Sequence, residues 1–240
     1  MSTSVVRVPI LPMHMVNAFV VFGPDGCIVV DAGVPGSEPR FERVLRTRGR
    51  GWSDVRLIVV THAHVDHAGA AAALRARAGA PIAAHVGDVD HFRGDRPMHF
   101  CATGPFGRTF LRTGVPRRRY APFEPDILLH SRDSFSLAPF GVDGRVVETV
   151  GHTAGSISVL LQGGEALVGD LLASGLLLGG IARRGRPKRP PFEDDPLAVA
   201  RCLRHLLELR MHTFYLGHGG PLPAEAVRRH VSALEVVGRR

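Results

Sequence analysis

Residues 61–67 read Thr61-His62-Ala63-His64-Val65-Asp66-His67, so four potential metal ligands fall within six consecutive positions. The apolar segment 57–60 before this stretch predicts a buried strand, and the alanine-rich segment that begins at Ala68 predicts a helix. His62 and His64 are two residues apart, so they cannot share a helix face, but a looped backbone can direct both rings to one side. Three histidines and an aspartate could not all find partners if they were buried together, and a bound cation would satisfy them. The stretch therefore predicts a metal site at a strand-to-helix turn.

Length and composition are those of an ordinary globular protein. With 240 residues the chain can form one sizeable core, and we expect a single domain over residues 1–240. Hydrophobic residues make up 45% of the chain and charged residues 22%. No apolar run is long enough to span a bilayer, and the N-terminus lacks a signal-peptide pattern, so we expect a cytoplasmic protein without membrane partners. The three cysteines are widely spaced, which argues against a disulfide framework and against a cysteine zinc site.

The formal net charge of +8 raises the question of an anionic partner. Basic residues concentrate in two runs, at 117–119 and at 183–189. The simplest interpretation is that both runs are solvated loops; the alternative is that they attract an anionic substrate or a polyanion such as RNA. Base-stacking aromatic residues are not conspicuous, so we do not expect a nucleic-acid partner. The sequence carries no specific mark of an oligomeric state.

Hydrophobic periodicity predicts an α/β fold, with strands followed by helices in both halves of the chain. A less regular stretch, 91–125, predicts loops that cover a binding site, with one short helix at 106–111. A second irregular and basic loop is predicted at 179–191. The predicted strands are 17–22, 27–31, 52–60, 81–84, 131–137, 145–150, 157–161, 165–168 and 213–216. The predicted helices are one that begins after Ser37, 68–78, one from Pro196 to about Leu209 with Asp195 as its N-cap, and 223–236.

Polar residues also follow three later predicted strands. They are His152 in Gly151-His152-Thr153-Ala154-Gly155-Ser156, Asp170 after Gly169, and His218 in Gly217-His218-Gly219-Gly220. Each residue alone is equally compatible with a structural role. Because strand ends at one sheet edge bring distant segments to one point, their shared context predicts that all three join the ligand turn.

The sequence resembles the metallo-β-lactamase superfamily from about residue 17 to the C-terminus. Residues 61–69 match its HxHxDH signature, residues 151–156 resemble its GHTPGS-type motif, and Gly169-Asp170 and Gly217-His218-Gly219 match the remaining ligand motifs. The resemblance implies an αβ/βα four-layer sandwich of two mixed sheets, with helices outside and a dinuclear metal centre at one edge. It implies that one metal is held by His62, His64 and His152, the other by Asp66, His67 and His218, and that Asp170 bridges them.

Ligand chemistry independently suits a hydrolytic metal centre. Imidazole and carboxylate ligands without thiolate fit zinc, iron or manganese, and we expect two divalent metal ions, with zinc first among the three. Two close metals lower the pKa of a shared water and polarise the group that it attacks, so no serine or cysteine nucleophile is needed. The resemblance also implies that Asp66 is catalytic, because it could orient the hydroxide or pass its proton to the leaving group. Asp31 and Thr61 are candidates to support the ligands, and turn formation explains both equally well.

Differences between this sequence and the motifs of known subfamilies limit the reactions that we expect. His64 stands where the flavodiiron oxidoreductases carry a glutamate, and class B β-lactamases generally lack an aspartate at the position of Asp170. The segment 171–174 lacks the tyrosine of many quorum-quenching lactonases, and the tail after His218 is short beside the glutathione-binding region of glyoxalase II. We therefore expect a glyoxalase II-like hydrolase that cleaves a thioester, lactone or other activated ester. A mononuclear iron oxidoreductase similar to the persulfide dioxygenases, or β-lactamase-type activity, is the alternative.

Overall fold

Two mixed sheets of six strands each form the centre of the fold in the computed structural model, which describes residues 3–130, 134–176, 178–179 and 182–237. In both sheets the strands are neighbours in the order in which they follow one another along the chain. The first sheet contains β1 (Ser4–Pro9), β2 (Asn17–Phe22), β3 (Cys27–Val30), β4 (Val55–Val59), β5 (Ile82–His85) and β6 (Ile127–Leu129). The second contains β7 (Ser134–Ser136), β8 (Gly144–Glu148), β9 (Ile157–Leu161), β10 (Glu165–Leu167), β13 (Thr213–Tyr215) and β14 (Leu222–Pro223), and a separate pair is formed by β11 (Ala173–Ser174) and β12 (Pro187–Lys188).

Helices cover the outer faces of both sheets. Asp195 caps one of them as predicted, because its carboxylate accepts hydrogen bonds from the backbone N–H groups of Leu197 and Ala198, at 2.8 and 2.9 Å. In the described part of the chain no helix is long and apolar enough to cross a membrane. The helices are α1 (Glu38–Thr47), α2 (Val65–Ala68), α3 (Ala71–Ala78), α4 (Val89–Arg93), α5 (Pro105–Arg112), α6 (Pro196–Glu208) and α7 (Ala224–Val237).

Because successive side chains of a strand point to opposite faces of its sheet, the buried apolar residues form three separate layers. In β2, for example, Phe19 and Val21 pack between the two sheets, whereas Val20 packs outward with Phe41 of α1. On the far side Phe214 of β13 packs with the buried faces of α6 and α7. Helix, sheet, sheet and helix therefore stack in four layers, which confirms the predicted sandwich.

Some local predictions need correction. β1 was not predicted; it pairs antiparallel with β2 at the sheet edge, and most of its residues are half-buried, so its apolar pattern is weak. β6 lies just after the stretch predicted to be irregular, 91–125, and was not predicted either. The single helix predicted at 68–78 is two helices, with the break at Ala70, whose φ of −106° and ψ of 8° are not helical. Residues 131–133 of the strand predicted at 131–137 lie outside the described residues.

Strand direction brings the predicted ligand turns to one edge. β3, β4 and β5 are parallel, and β8, β10 and β13 share one direction in the second sheet. The carboxyl ends of these strands meet where the sheets face each other, as the hydrogen bond from the Ile157 amide to the Thr61 carbonyl, 3.0 Å, shows.

Candidate metal centre

The first group of ligands is formed by His62, His64 and His152, called here the three-histidine cluster. His62 Nε2 lies 3.1 Å from His64 Nδ1, and His152 Nε2 lies 3.1 and 3.2 Å from these two atoms. All three side chains are buried. Burial and the neighbouring histidines lower the pKa of His62 and His64 well below its ordinary value, and burial lowers the pKa of His152. The cluster therefore presents neutral nitrogen atoms that converge on one point.

The second group, formed by Asp66, His67 and His218, is called the carboxylate cluster. His218 Nε2 lies 3.4 Å from Asp66 Oδ2, and His67 Nε2 lies 4.0 Å from the same oxygen. The Asp66 side chain is 25% exposed, whereas those of His67 and His218 are buried. Asp66 is thus the most exposed member of this cluster.

Asp170 lies between the two clusters. Its Oδ2 is 3.0 Å from His218 Nε2 and 3.8 Å from His152 Nε2, and its Oδ1 is 3.4 Å from His67 Nε2. Burial raises the pKa of Asp170, but the positive charges of His218 and His67 outweigh burial and hold this pKa well below its ordinary value. An ionised carboxylate is therefore within reach of both clusters.

Hydrogen bonds to residues outside the ligand set orient the imidazole rings of three ligand candidates. His67 Nδ1 donates to Asp31 Oδ2, at 2.8 Å, and His218 Nδ1 donates to the Met15 carbonyl oxygen. The Thr61 hydroxyl donates to Asp31 and so accepts from His62 Nδ1, at 3.1 Å. In each of these three histidines Nδ1 is thus engaged by an outer partner, and Nε2 points inward as the nitrogen available to bind a metal.

The seven residues fit a pair of cations. Buried His67 Nε2 and Asp170 Oδ1 have no hydrogen-bond partner among the described residues, which is costly unless a cation binds them. The ligand atoms fall into three overlapping groups, each within 4.8 Å: His62, His64 and His152; His62, His67 and Asp170; and Asp66, His67 and His218. Without thiolate, this donor set is consistent with a dinuclear metal site.

A glycine allows the close approach of the second-sheet ligands. A Cβ added at Gly217 would lie 2.4 Å from Asp170 Oδ1 and 2.4 Å from His67 Cε1. The glycine that precedes His218 in the sequence motif is therefore required by the crowding of the ligands.

Asp88 is a supporting residue for which the sequence predicted no role. This buried carboxylate accepts hydrogen bonds from the Ala63 amide, the Gly155 amide and the Thr153 hydroxyl, each at 2.9 Å. It therefore ties the turn that carries His62 and His64 to the turn that carries His152. The only sequence signal was its position after a predicted strand end.

Another histidine near a predicted strand end does not join the site. His85 Nε2 lies 3.4 Å from Glu148 Oε1, and His85 Nδ1 accepts a hydrogen bond from the Gly87 amide. His85 therefore supports the local turn after β5.

A cavity of about 460 Å³, called the inner cavity, opens beside the ligands. Metal-ligand candidates line one side, and apolar side chains line most of the rest. Arg118 and Arg119, from the first basic run, line it as well. The ligand candidates that line it are His64, Asp66, His152, Asp170 and His218.

Residues 11–218 match the metallo-β-lactamase superfamily. The chain belongs to this superfamily. The probable metallo-hydrolase YflN of Bacillus subtilis is 25% identical over 88% of this chain and 82% of its own length. The probable metallo-hydrolase YqgX of the same organism is 24% identical over 90% of this chain and 89% of its own length.

Solved structures of the superfamily share the fold. The metallo-β-lactamase family protein TTHA1429 from Thermus thermophilus superposes with a TM-score of 0.68, at 23% identity, over 99% of this chain and 79% of that protein. The B3 metallo-β-lactamase BLEG-1 superposes with a TM-score of 0.70, at 21% identity, over 96% of this chain and 99% of that protein. Superfamily membership and the two ligand clusters together identify a metal-dependent hydrolase.

Proposed function

We propose that this superfamily member hydrolyses a thioester, lactone or other activated ester of a small molecule with two divalent metal ions, zinc first and iron or manganese as alternatives. The observation that carries the proposal is the position of Asp170, within 3.8 Å of ligand nitrogens from both clusters. A carboxylate so placed can bridge two metals. In the proposed centre one metal would be held by His62, His64 and His152 and the other by Asp66, His67 and His218, and Asp170 could serve both.

Metal ions held there would supply the chemistry of an activated water and a polarised carbonyl group. The protein residues supply position and proton handling. Asp66 is the proposed catalytic residue, because it belongs to the carboxylate cluster and also lines the inner cavity. Its free carboxylate oxygen is placed to orient the attacking water and to return the proton to the leaving group.

Supporting residues keep the ligands aligned through the reaction. Asp31 holds the His67 ring, and Asp88 joins the two turns of the three-histidine cluster. Neither residue lines the inner cavity, so both act through the ligands. Apolar walls on most of this cavity limit the water that competes with the substrate.

The ligand set and the structural comparison also bear on two other reactions known in the superfamily. A persulfide dioxygenase-like enzyme uses one iron, whereas Asp66, His67 and His218 offer this chain a second set of ligands. The name of the neighbour BLEG-1 is that of a B3 β-lactamase, and at 21% identity this likeness supports the fold alone.

The test is to strip the protein with a chelator, restore zinc, iron or manganese separately, and assay each form. The substrates are a thioester, a lactone, an activated ester, a chromogenic cephalosporin and a persulfide with oxygen-uptake detection. The proposal predicts that metal restores hydrolysis of at least one carboxylic substrate far above cleavage of the cephalosporin. Oxygen uptake with the persulfide and no hydrolysis in any form would overturn it.

A further inference from the structure

A second cavity of about 620 Å³, called the outer cavity, adjoins the inner cavity. The two adjoining cavities together are called the groove, and metal-ligand candidates line its inner part. The lining residues that they share are Val65, Phe100, Pro116, Arg118 and Arg119.

An aromatic wall runs along the inner part of this groove. The Phe100 ring stacks on His64, with centroids 5.0 Å apart, and the Phe192 ring lies 4.9 Å from that of Phe100. Phe110 follows at 6.0 Å from Phe192, and Phe106 at 5.8 Å from Phe110. Phe106 is 45% exposed and lines neither cavity, so the part of the wall inside the groove is Phe100, Phe110 and Phe192. An apolar chain or ring laid along this wall would remove apolar surface from water.

Cationic side chains stand where the two cavities meet. Arg117, Arg118 and Arg119 are exposed and line the outer cavity. None of the three guanidinium groups makes an ion pair or a hydrogen bond with any residue in the described part of the chain. They are therefore available to bind an anionic ligand group.

Other charged residues of the outer cavity leave this positive charge largely uncompensated. Arg93 is paired with Glu124, and Arg96 lies 3.9 Å from Asp90. Asp95 is the carboxylate among the outer lining residues. Three unpaired guanidinium groups thus face one carboxylate.

We propose that the groove selects amphiphilic substrates, in which an apolar group lies along the aromatic wall and an anionic group is bound by Arg118 and Arg119. These two arginines are then specificity-determining residues. The inference rests on the proposed function, because the scissile bond must lie beside the metal ligands at the inner end. Its chemistry is a carboxylic ester or thioester with a charged group several bonds from the reacting carbonyl.

The test compares two activated esters that differ in one charge: the mono-p-nitrophenyl ester of octanedioic acid and the p-nitrophenyl ester of octanoic acid. Each is assayed with metal-loaded wild-type protein and with the R118Q/R119Q variant. The R108Q/R112Q variant is the matched control, because it removes the same charge from exposed positions of α5 that line neither cavity. Metal content and far-UV circular dichroism are measured for all three proteins.

We expect the charged-to-neutral ratio of kcat/KM to fall about tenfold in R118Q/R119Q, as the loss of charge-assisted contacts predicts, and by less than about twofold in R108Q/R112Q. If wild-type protein hydrolyses both esters with equal efficiency, the substrate class is wrong while the hydrolase stands. If selectivity survives in R118Q/R119Q, the assignment to these arginines is wrong. If wild-type protein hydrolyses no ester, thioester or lactone, the proposed function itself fails.

A binding measurement tests the inference apart from turnover. Calorimetric titration with 1-octanesulfonate, whose anionic group is a weak metal ligand, measures binding in the groove directly. Affinity about tenfold weaker in R118Q/R119Q than in R108Q/R112Q supports the inference. Equal affinity in the two variants overturns it, whatever the esters show.

Discussion

The three-histidine cluster and the carboxylate cluster lie side by side but differ in charge and burial. The first has only neutral, buried imidazoles, and burial holds the pKa of His62 and His64 well below its ordinary value. In the second, burial lowers the pKa of His67, but the carboxylates of Asp31 and Asp170 outweigh burial and raise it to about 10. The comparison predicts a division of work: the first cluster would hold a metal with neutral nitrogen atoms alone, whereas the second would add carboxylate charge and the partly exposed side chain of Asp66.

The largest expected effect comes from loss of an anchoring ligand. We expect His152→Ala to lower kcat/KM more than about 10³-fold, since loss of an outer hydrogen-bond partner alone costs about 10–100-fold. Metal content of the three-histidine cluster should fall with it. The matched control is His205→Ala, on the exposed face of α6, which should keep both metals and full activity. Wild-type activity in His152→Ala would contradict the anchoring role of the three-histidine cluster.

The next largest effect is expected at Asp88, the carboxylate that joins the two turns of the three-histidine cluster. Asp88→Asn keeps the shape of the side chain but replaces one acceptor oxygen with a donor N–H group that faces the Ala63 or Gly155 amide or the Thr153 hydroxyl. We expect metal affinity at this cluster to fall by about 10–100-fold, measured by competition with a chromogenic chelator. The carboxylate cluster should change little. Asp90→Asn, at an exposed neighbouring position, is the control, and an equal effect of both variants would contradict the role of Asp88.

Asp31→Asn probes the support of the other cluster. Asp31 accepts from His67 Nδ1 and adopts a φ of 63°, a left-handed conformation that asparagine tolerates. The backbone should therefore survive, and the expected loss, about tenfold in metal affinity, should fall first on the carboxylate cluster. Site-resolved metal titration checks this, and a loss confined to the three-histidine cluster would reverse the assignment.

An effect on stability and not on metal binding is expected from a buried carboxylate that no cation cluster stabilises. Burial raises the pKa of Glu193 to about 7, despite Arg189 beside it, whereas the pKa of Asp170 is lowered. Because this folded-state pKa lies above the unfolded one, the stability that the protonated group contributes is full below about pH 4.5 and is lost as pH rises towards about 7.

The free energy of unfolding of wild-type protein, measured relative to Glu193→Gln at each pH, should therefore fall by up to about 3 kcal/mol across that window. Taking the difference between the two proteins cancels the titration of the metal ligands. A difference that does not change with pH would show that folding leaves the pKa of Glu193 unchanged.

Much of the site followed from the sequence, because its ligands stand in short motifs directly after strands. To place His152, Asp170 and His218 beside the stretch 61–67, we needed only the rule that strand ends meet at a sheet edge. The sandwich itself was expected from a family resemblance and not from periodicity. The structure confirms the four layers and brings the ligand candidates together.

The supporting features were not predictable in the same way. Asp88 acts on backbone amides of two turns, 25 and 67 residues away, and no local pattern reveals such contacts. The aromatic wall is assembled from Phe100, Phe110 and Phe192, which come from loops and from α5 and show no common period. β1 was missed because an edge strand that is half-buried along most of its length lacks clear alternation.

Elemental analysis of protein purified without added metal or chelator tests the central claim most directly, with Asp170→Asn measured beside the wild type. The account predicts two metal atoms per wild-type chain and fewer in the variant, because Asp170 is shared by both clusters. One iron per chain that does not respond to the change at Asp170 would contradict the dinuclear centre.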